Sequence, residues 1–270
     1  GRFLILGSAS PDIIKNTSET LAGRVEFVDL HGFDISETGK DGLNRLWLRG
    51  GFPPSYLAKS EEDSIAWREG FVRTFLQRDI PQLGINIPSK TLRRFWTMLA
   101  HSHGQLLNSS QLAGSMGMSD KTIRSYVDIL SATYMVRPLQ PWYENVKKRQ
   151  VKSSKIYLSD TGLLHHLLGI NSYEMLLSHP IAGASWESFV IEQILRVTPA
   201  LVPYFWSTYS GAEVDLFFQI EGQKIGIEIK FTESPKTTKS MHSAINELAL
   251  TRSSRTIRNR GADRRTQDSP

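Results

Sequence analysis

The chain has 270 residues, no cysteine, and 32 basic against 27 acidic residues. That composition excludes disulfides, zinc–thiolate sites and thiol nucleophiles, and no apolar run reaches the roughly 18 residues that a membrane span needs. Of the net +5, the last twenty residues alone hold six Arg and two Asp, so partner binding has to be argued from local clusters and not from bulk charge.

The opening RFLILGSAS reads as a buried strand, SPDIIKNTSETLAG as a helix stopped by Gly23, and RVEFVDL as a second strand. Strand, helix, strand is one parallel α/β unit, too small to fold alone. No G-x-x-x-x-G-K-[ST] phosphate loop is present: Gly39-Lys40 is followed by Asp41. The chain starts on Gly1, and the expectation is that it begins inside a longer gene product. With neither a secretory signal nor a membrane span in view, the expected location is the cytoplasm.

Residues 42–60 carry GGFPPSYL, a Gly/Pro cluster expected to connect modules. EEDSIAWREGFVRTFLQRDI and TLRRFWTMLAHSHG follow as amphipathic helices, with Val72, Phe75, Leu76, Phe95, Trp96 and Leu99 among their packing residues. His101 and His103 have metal-ligand character, but with no third ligand nearby they read as a helix-end or surface pair.

LLNSSQLAGSMGMSDKTIRSYVDIL has helix-turn-helix spacing. Ser109 or Ser110 would cap the first helix, Gly117 would turn the chain, and Ser119 would cap the second helix. Ile123, Val127 and Leu130 would face the core, and Lys121, Arg124 and Ser125 would face outward. Strands YMVRPLQ and KIYLSD then flank a loop with Lys147, Lys148, Arg149, Lys152 and Lys155. This is a winged helix with five cations on its wing, suited to duplex DNA phosphates. The plain alternative is a winged helix used only for packing, with a solvated wing.

Residues 161–185 read as short linking helices with His165 and His166 partly buried. A helix over 185–197 follows, with Glu187 near its start. In GAEVDLFFQIEGQKIGIEIK, two alternating strands meet at Glu221-Gly222. Val214, Leu216 and Phe218 would share one face, and Glu213, Asp215 and Phe217 the other. Ile225, Ile227, Ile229 and Phe231 would oppose Glu228 and Lys230. Asp215 and Glu228 could thus hold Mg²⁺, a hard cation that takes carboxylate oxygens, with Lys230 beside them. The bland alternative is a cross-strand ion pair. After Leu250 only Ile257 and Ala262 are apolar, so 251–270 is expected to be a disordered basic tail, through a frame change or as a nucleic-acid-gripping arm.

The D…E-x-K spacing resembles the active-site core of the restriction-endonuclease-like nucleases. In that superfamily a further Glu comes from a helix before the hairpin, and Glu187 stands in that place. The resemblance implies catalytic roles for Glu187, Asp215, Glu228 and Lys230. Over residues 1–245 the chain also resembles a bacterial and archaeal family that joins an AAA-plus-type ATPase to a C-terminal domain of unknown function. GSAS, SETLAGRV, GGFPPSYL, FLQRDI, NVKKRQVKSSKIYLSDTGLLHHLLG and GASWESFVIEQIL carry that likeness. It implies nucleotide sensing by Ser8 and Arg24, ATP only in the full-length parent, and self-association through the ATPase part.

The expected fold class is α/β multidomain. Residues 1–45 would be an ATPase remnant, 46–100 a helical lid-like segment, 101–160 the winged helix and 161–250 a small α/β endonuclease-like domain. Three functions stay open: a Mg²⁺-dependent nuclease, a non-catalytic DNA- or protein-binding adaptor, and a transcriptional regulator reading DNA through Lys121 and Arg124.

Overall fold

A computed structural model of the protein describes residues 28–143, 152–198, 201–208, 211–232 and 239–257. It is a mixed α/β structure, as expected, with a helical first part followed by a small α/β part. Short helices α1 (Ile35–Thr38), α2 (Leu43–Arg49) and α3 (Pro53–Tyr56) lead into α4 (Glu61–Thr74). A π-helical turn over Phe75–Asp79 joins it to α5 (Ile80–Gln82) and then α6 (Ser89–His101). The expected strand RVEFVDL begins outside the described residues. Its end is not a strand: Val28 and Leu30 lie 81% and 95% exposed.

The helix-turn-helix is present. Strand β1 (Gln105–Leu106) precedes α7 (Ser109–Met116), and α8 (Asp120–Ala132) follows. Gly117 sits at φ 68°, the left-handed conformation that ends α7 without a Cβ penalty. Ser119 caps α8 by accepting from the Thr122 N–H at 3.1 Å. The cap of α7 is Asn108, which accepts from the Gln111 N–H, and neither Ser109 nor Ser110. An amide oxygen one residue earlier satisfies the same first-turn donors. Ile123, Val127 and Leu130 are buried, and pack with Leu92, Phe95, Trp96 and Leu99 of α6 in one core.

Strands β2 (Val136–Pro141) and β3 (Lys155–Leu158) form the antiparallel wing, with β1 on the far side of β3. The wing does not stand apart. β2 pairs in parallel with β4 (Tyr204–Ser207), so among the described residues one seven-stranded sheet runs β1-β3-β2-β4-β5-β6-β7 through both parts. Helices α9 (Thr161–Leu167), α10 (Tyr173–Ser178) and α11 (Ala182–Val197) lie between β3 and β4 in sequence. A bidentate pair from Arg137 on β2 to Glu192 on α11 adds a second tie between the parts.

Strands β5 (Glu213–Ile220) and β6 (Gln223–Lys230) meet in a two-residue turn. Glu221 and Gly222 both have positive φ, 49° and 76°, which matches the twist of a tight hairpin. A register shift between β4 and β5 breaks the expected alternation of β5. Val214 therefore packs with Phe217, Trp206 and Leu248, while Leu216 and Phe218 join the opposite core with Phe189 and Ile229. An extra residue in one strand of a pair re-aims the side chains beyond it.

Helix α12 (Lys239–Leu248), for which the hairpin reading made no provision, covers the face opposite α11. Arg252–Ile257, expected to be unstructured, form β7, parallel to β6 from Ile225↔Arg252 to Lys230↔Ile257. The expectation failed because it asked for an apolar face, whereas an edge strand is held by backbone hydrogen bonds that any non-proline residue can make. Residues 258–270 lie outside the described region.

The Gly/Pro connector is also more than a connector. Leu46, Trp47 and Leu48 of α2 are buried, and Trp47 meets Trp186 edge-on at 5.3 Å. A Cβ on Gly162 of α9 would fall 2.0 Å from the Arg49 carbonyl oxygen, so only glycine allows α2 to approach this closely. Asp160 caps α9 through the Leu163 N–H and also accepts from the Gly51 N–H at 2.7 Å. The N-terminal helices thus complete the core of the C-terminal part.

Candidate metal centre in a cleft between the winged helix and the hairpin

The pairing of β5 with β6 runs from Ile220↔Gln223 to Leu216↔Ile227. Beyond it, the Ile229 N–H donates to the Asp215 Oδ2 at 2.7 Å, so a carboxylate takes a place that a strand carbonyl would otherwise fill. This anchors Asp215 inside the sheet, 3% exposed. Glu213, two residues earlier on the same strand, reaches the same space, and so does Glu187 from the second turn of α11. One oxygen from each of Glu187, Glu213 and Asp215 lies within 4.8 Å of the other two.

Two cations enter this group. Lys230 of β6 places its Nζ 3.2 Å from Glu228 Oε1 and 3.8 Å from Asp215 Oδ2, with its side chain 43% exposed. Lys155, from the wing strand β3, is 7% exposed and lies among the three clustered carboxylates. Its Nζ is 3.2 Å from Glu187 Oε1 and 3.9 Å from Asp215 Oδ1, and it donates a short hydrogen bond to Glu213. Tyr157, two residues on, donates its hydroxyl to Glu187 Oε1 in another short contact.

The electrostatics follow from burial. Loss of water, with the Glu187 charge adding to it, pushes the Asp215 carboxyl up to about 7, against the pull of Lys155, Lys230 and the Ile229 N–H. Burial alone would lower both lysines, but their carboxylate neighbours outweigh it and hold both ammoniums above the usual range. The Tyr157 hydroxyl is raised well above its ordinary value by burial and by Glu187, and stays a donor.

These groups line a cleft of about 670 Å³. Lys155, Glu187, Glu213, Asp215, Glu228 and Lys230 form one wall, and Gln105, Asn108 and Gln111 from the start of the helix-turn-helix form the other. The structure therefore brings Glu187, Asp215, Glu228 and Lys230 into one site. It also adds Glu213, Lys155 and Tyr157, which sequence reasoning left out. Glu213 had a signal, an i, i+2 spacing to Asp215 on one strand face. Lys155 and Tyr157 had none, because only the fold puts β3 beside α11.

Lys155 is the one wing cation whose described position departs from the phosphate-contact expectation. It points into the acidic group and not toward solvent. The remaining residues expected on the DNA side divide in two. Lys121, Arg124 and Ser125 are exposed on α8, and Lys152 is exposed beside the wing. None of the four lines the cleft. Lys147, Lys148 and Arg149, with Ser8 and Arg24 of the expected nucleotide-sensing pair, lie outside the described residues.

Two histidines, His103 and His165, are packed in the interior, and His101 is exposed. His103, expected at a helix end or on the surface, is buried, and its Nδ1 accepts from the Leu158 N–H at 3.0 Å. His165, expected to be partly buried, is wholly so, and bridges the Leu48 carbonyl and the Ser185 hydroxyl. Burial depresses both to about 3, so both are neutral. His166 pairs with Glu69 at 2.9 Å.

Residues 40–174 match the family described as "Domain of unknown function (DUF8612)", and residues 182–269 match "Domain of unknown function (DUF4143)". The second match runs past Leu250, where the hydrophobic pattern of the sequence breaks. Uncharacterized proteins of Mycobacterium bovis and Mycobacterium tuberculosis are each 51% identical to this chain over 251 residues. The aligned region covers 93% of this chain but 57% of each relative. No solved structure matches. Spanning half of the chain, the first match shows that the protein belongs to the DUF8612 family. Among the described residues, no helix is long and apolar enough to cross a membrane.

Proposed function

We propose that this DUF8612 protein is a DNA-directed module whose α/β part carries a divalent-cation site for phosphodiester hydrolysis. The observation behind this reading is the cleft in which Glu187, Glu213 and Asp215 converge to within 4.8 Å beside Glu228 and Lys230. The donor set suits a hard cation such as Mg²⁺: all three are carboxylate oxygens, and a cationic group already rests among them. Glu187, Glu213 and Asp215 would hold the ion. When bound, such an ion polarises a phosphate and lowers the pKa of a coordinated water. Lys230, half-exposed on the cleft wall, is placed to donate to an anionic phosphate oxygen. Asp215, fixed by the Ile229 N–H, keeps the carboxylates in register.

Duplex DNA is the partner that fits the exposed Lys121, Arg124 and Ser125 of the helix-turn-helix and Lys152 beside the wing. In the longer protein, the GGFPPSYL and FLQRDI segments favour an AAA-plus-type ATPase as the parent, with ATP bound and copies assembled there. ATP hydrolysis by the full-length protein and none by this chain would support that parentage.

The nuclease test is nicking of supercoiled plasmid with Mg²⁺ or Mn²⁺. It should be present in the wild type and lost in Asp215→Asn and Lys230→Met. A second reading has its own observation. Because Lys155 already compensates the carboxylates, the cluster could serve as a buried ion-pair scaffold in a non-catalytic adaptor. DNA binding without nicking under any divalent ion would favour the adaptor.

A further inference from the structure

We infer that Lys155 is a tethered counter-cation whose ammonium competes with a divalent ion for Glu187, Glu213 and Asp215, which makes the winged-helix strand β3 a part of the ion site. This rests on the cation-site reading above and adds to it a competitor supplied by the other module.

The geometry argues for exchange and against coexistence. The carboxylates contacted by Lys155 are the same three whose oxygens cluster within 4.8 Å. An ammonium and a divalent ion cannot both occupy a group that narrow, since like charges a few ångströms apart in a site of low effective dielectric repel strongly. The charges point the same way. Four carboxylates, Glu187, Glu213, Asp215 and Glu228, face two ammoniums, Lys155 and Lys230. Fully ionised, the group is short of positive charge, and swapping a monovalent for a divalent cation reduces the deficit.

The fold permits the exchange without refolding. Lys155 pairs through its backbone with Leu106 of β1 and Leu139 of β2, so only its side chain has to move. The cleft gives it room beside the neutral amides of Gln105 and Gln111. Tyr157 donates to Glu187 Oε1, the oxygen that Lys155 also contacts, and would still hold that carboxylate once Lys155 has moved away. Lys155 is thus a positioning residue: with no ion bound it holds together the buried Asp215 and the partly exposed Glu187 and Glu213.

Mn²⁺ binding to the whole chain, followed by titration calorimetry and by the loss of the free-ion electron paramagnetic resonance signal, tests this without any activity assay. Lys155→Met should bind Mn²⁺ at least tenfold more tightly than the wild type, and its melting temperature should rise more on Mn²⁺ addition. Lys155→Arg, which keeps the charge, should bind no more tightly than the wild type and guards against Lys155→Met failing to fold without the ion. Equal Mn²⁺ affinity in wild type and Lys155→Met sinks the exchange but leaves the ion site standing. Weaker binding in Lys155→Met also overturns the exchange. An absence of Mn²⁺ binding in every variant overturns the ion-site reading itself, and the exchange with it.

Discussion

The protein carries cations in two places that a count of charges cannot tell apart. Lys121 and Arg124 stand on the outer face of α8, open to solvent. Lys155 and Lys230 stand in the cleft, each within 4 Å of carboxylates, with Lys155 almost fully buried. The first pair is free to meet a phosphate, because water is all it gives up. Of the second pair, Lys155 is committed, because its ammonium is enclosed by acids, whereas Lys230 pairs with Glu228 and still presents an exposed side chain to the cleft. Burial, and not residue type, decides whether a lysine is a docking group or part of an interior network.

Among the substitutions, the largest expected effect comes from removing the buried cation. Lys155→Met removes the ammonium shared by Glu187, Glu213 and the buried Asp215, leaving Asp215 with Lys230 and the Ile229 N–H and Glu187 with Tyr157, and should destabilise the metal-free protein by roughly 3–5 kcal/mol. Denaturant unfolding with and without Mn²⁺ reads this, and adding Glu213→Gln should recover part of the loss.

Acid should reveal the same contrast among the histidines. His103 and His165 are buried and depressed to about 3, from 6.5 when free. A depressed pKa gives stability that is present above the free value and is lost as pH falls toward the folded one. Unfolding free energy should therefore fall between pH 6.5 and 3, by up to about 4–5 kcal/mol for each imidazole. His165→Asn should flatten that slope.

Ion pairs should divide in the same manner. Arg137 and the buried Glu192 join β2 to α11 through two hydrogen bonds, and Arg137→Met should cost about 2–4 kcal/mol. Arg93 and Glu69 make an equally short pair with both side chains more than one-third exposed. A double-mutant cycle there should give about 0.2–1 kcal/mol.

The smallest effect on stability belongs to the outer pair. Lys121→Ala and Arg124→Ala should each change stability by less than about 0.5 kcal/mol. Each should instead lower the salt dependence of duplex DNA binding by about one ion, as measured by anisotropy across a salt series. A stability loss as large as that of Lys155→Met would erase the distinction between the two sites.

Much of this was readable along the chain because it is local. Gly117 and Ser119 mark the turn between α7 and α8, since the conformation of one and the hydroxyl of the other act within four residues. Glu221-Gly222 marks the hairpin, and the period-two isoleucines of β6 mark its buried face. Strand periodicity placed Asp215, Glu228 and Lys230 on the faces of one hairpin, and Glu187 was picked out by the resemblance to the nuclease superfamily.

Tertiary structure decided the rest, because the forces involved join residues that are far apart in sequence. The shift in β5 register depends on β4, and so the face of Val214 does too. The strand at Arg252–Ile257 exists through pairing with β6, which its own composition does not announce. Trp47 is buried because α9 carries a glycine where α2 crosses it. Above all, Lys155 reads in sequence as one of five wing cations, and only the parallel pairing of β2 with β4 carries it into the acids of the hairpin. The sequence alone determined which charges the chain has and the local turns that present them. The pairing of strands from its two halves determined which of those charges meet, because electrostatic energy depends on distance and burial, and neither is a property of a single segment.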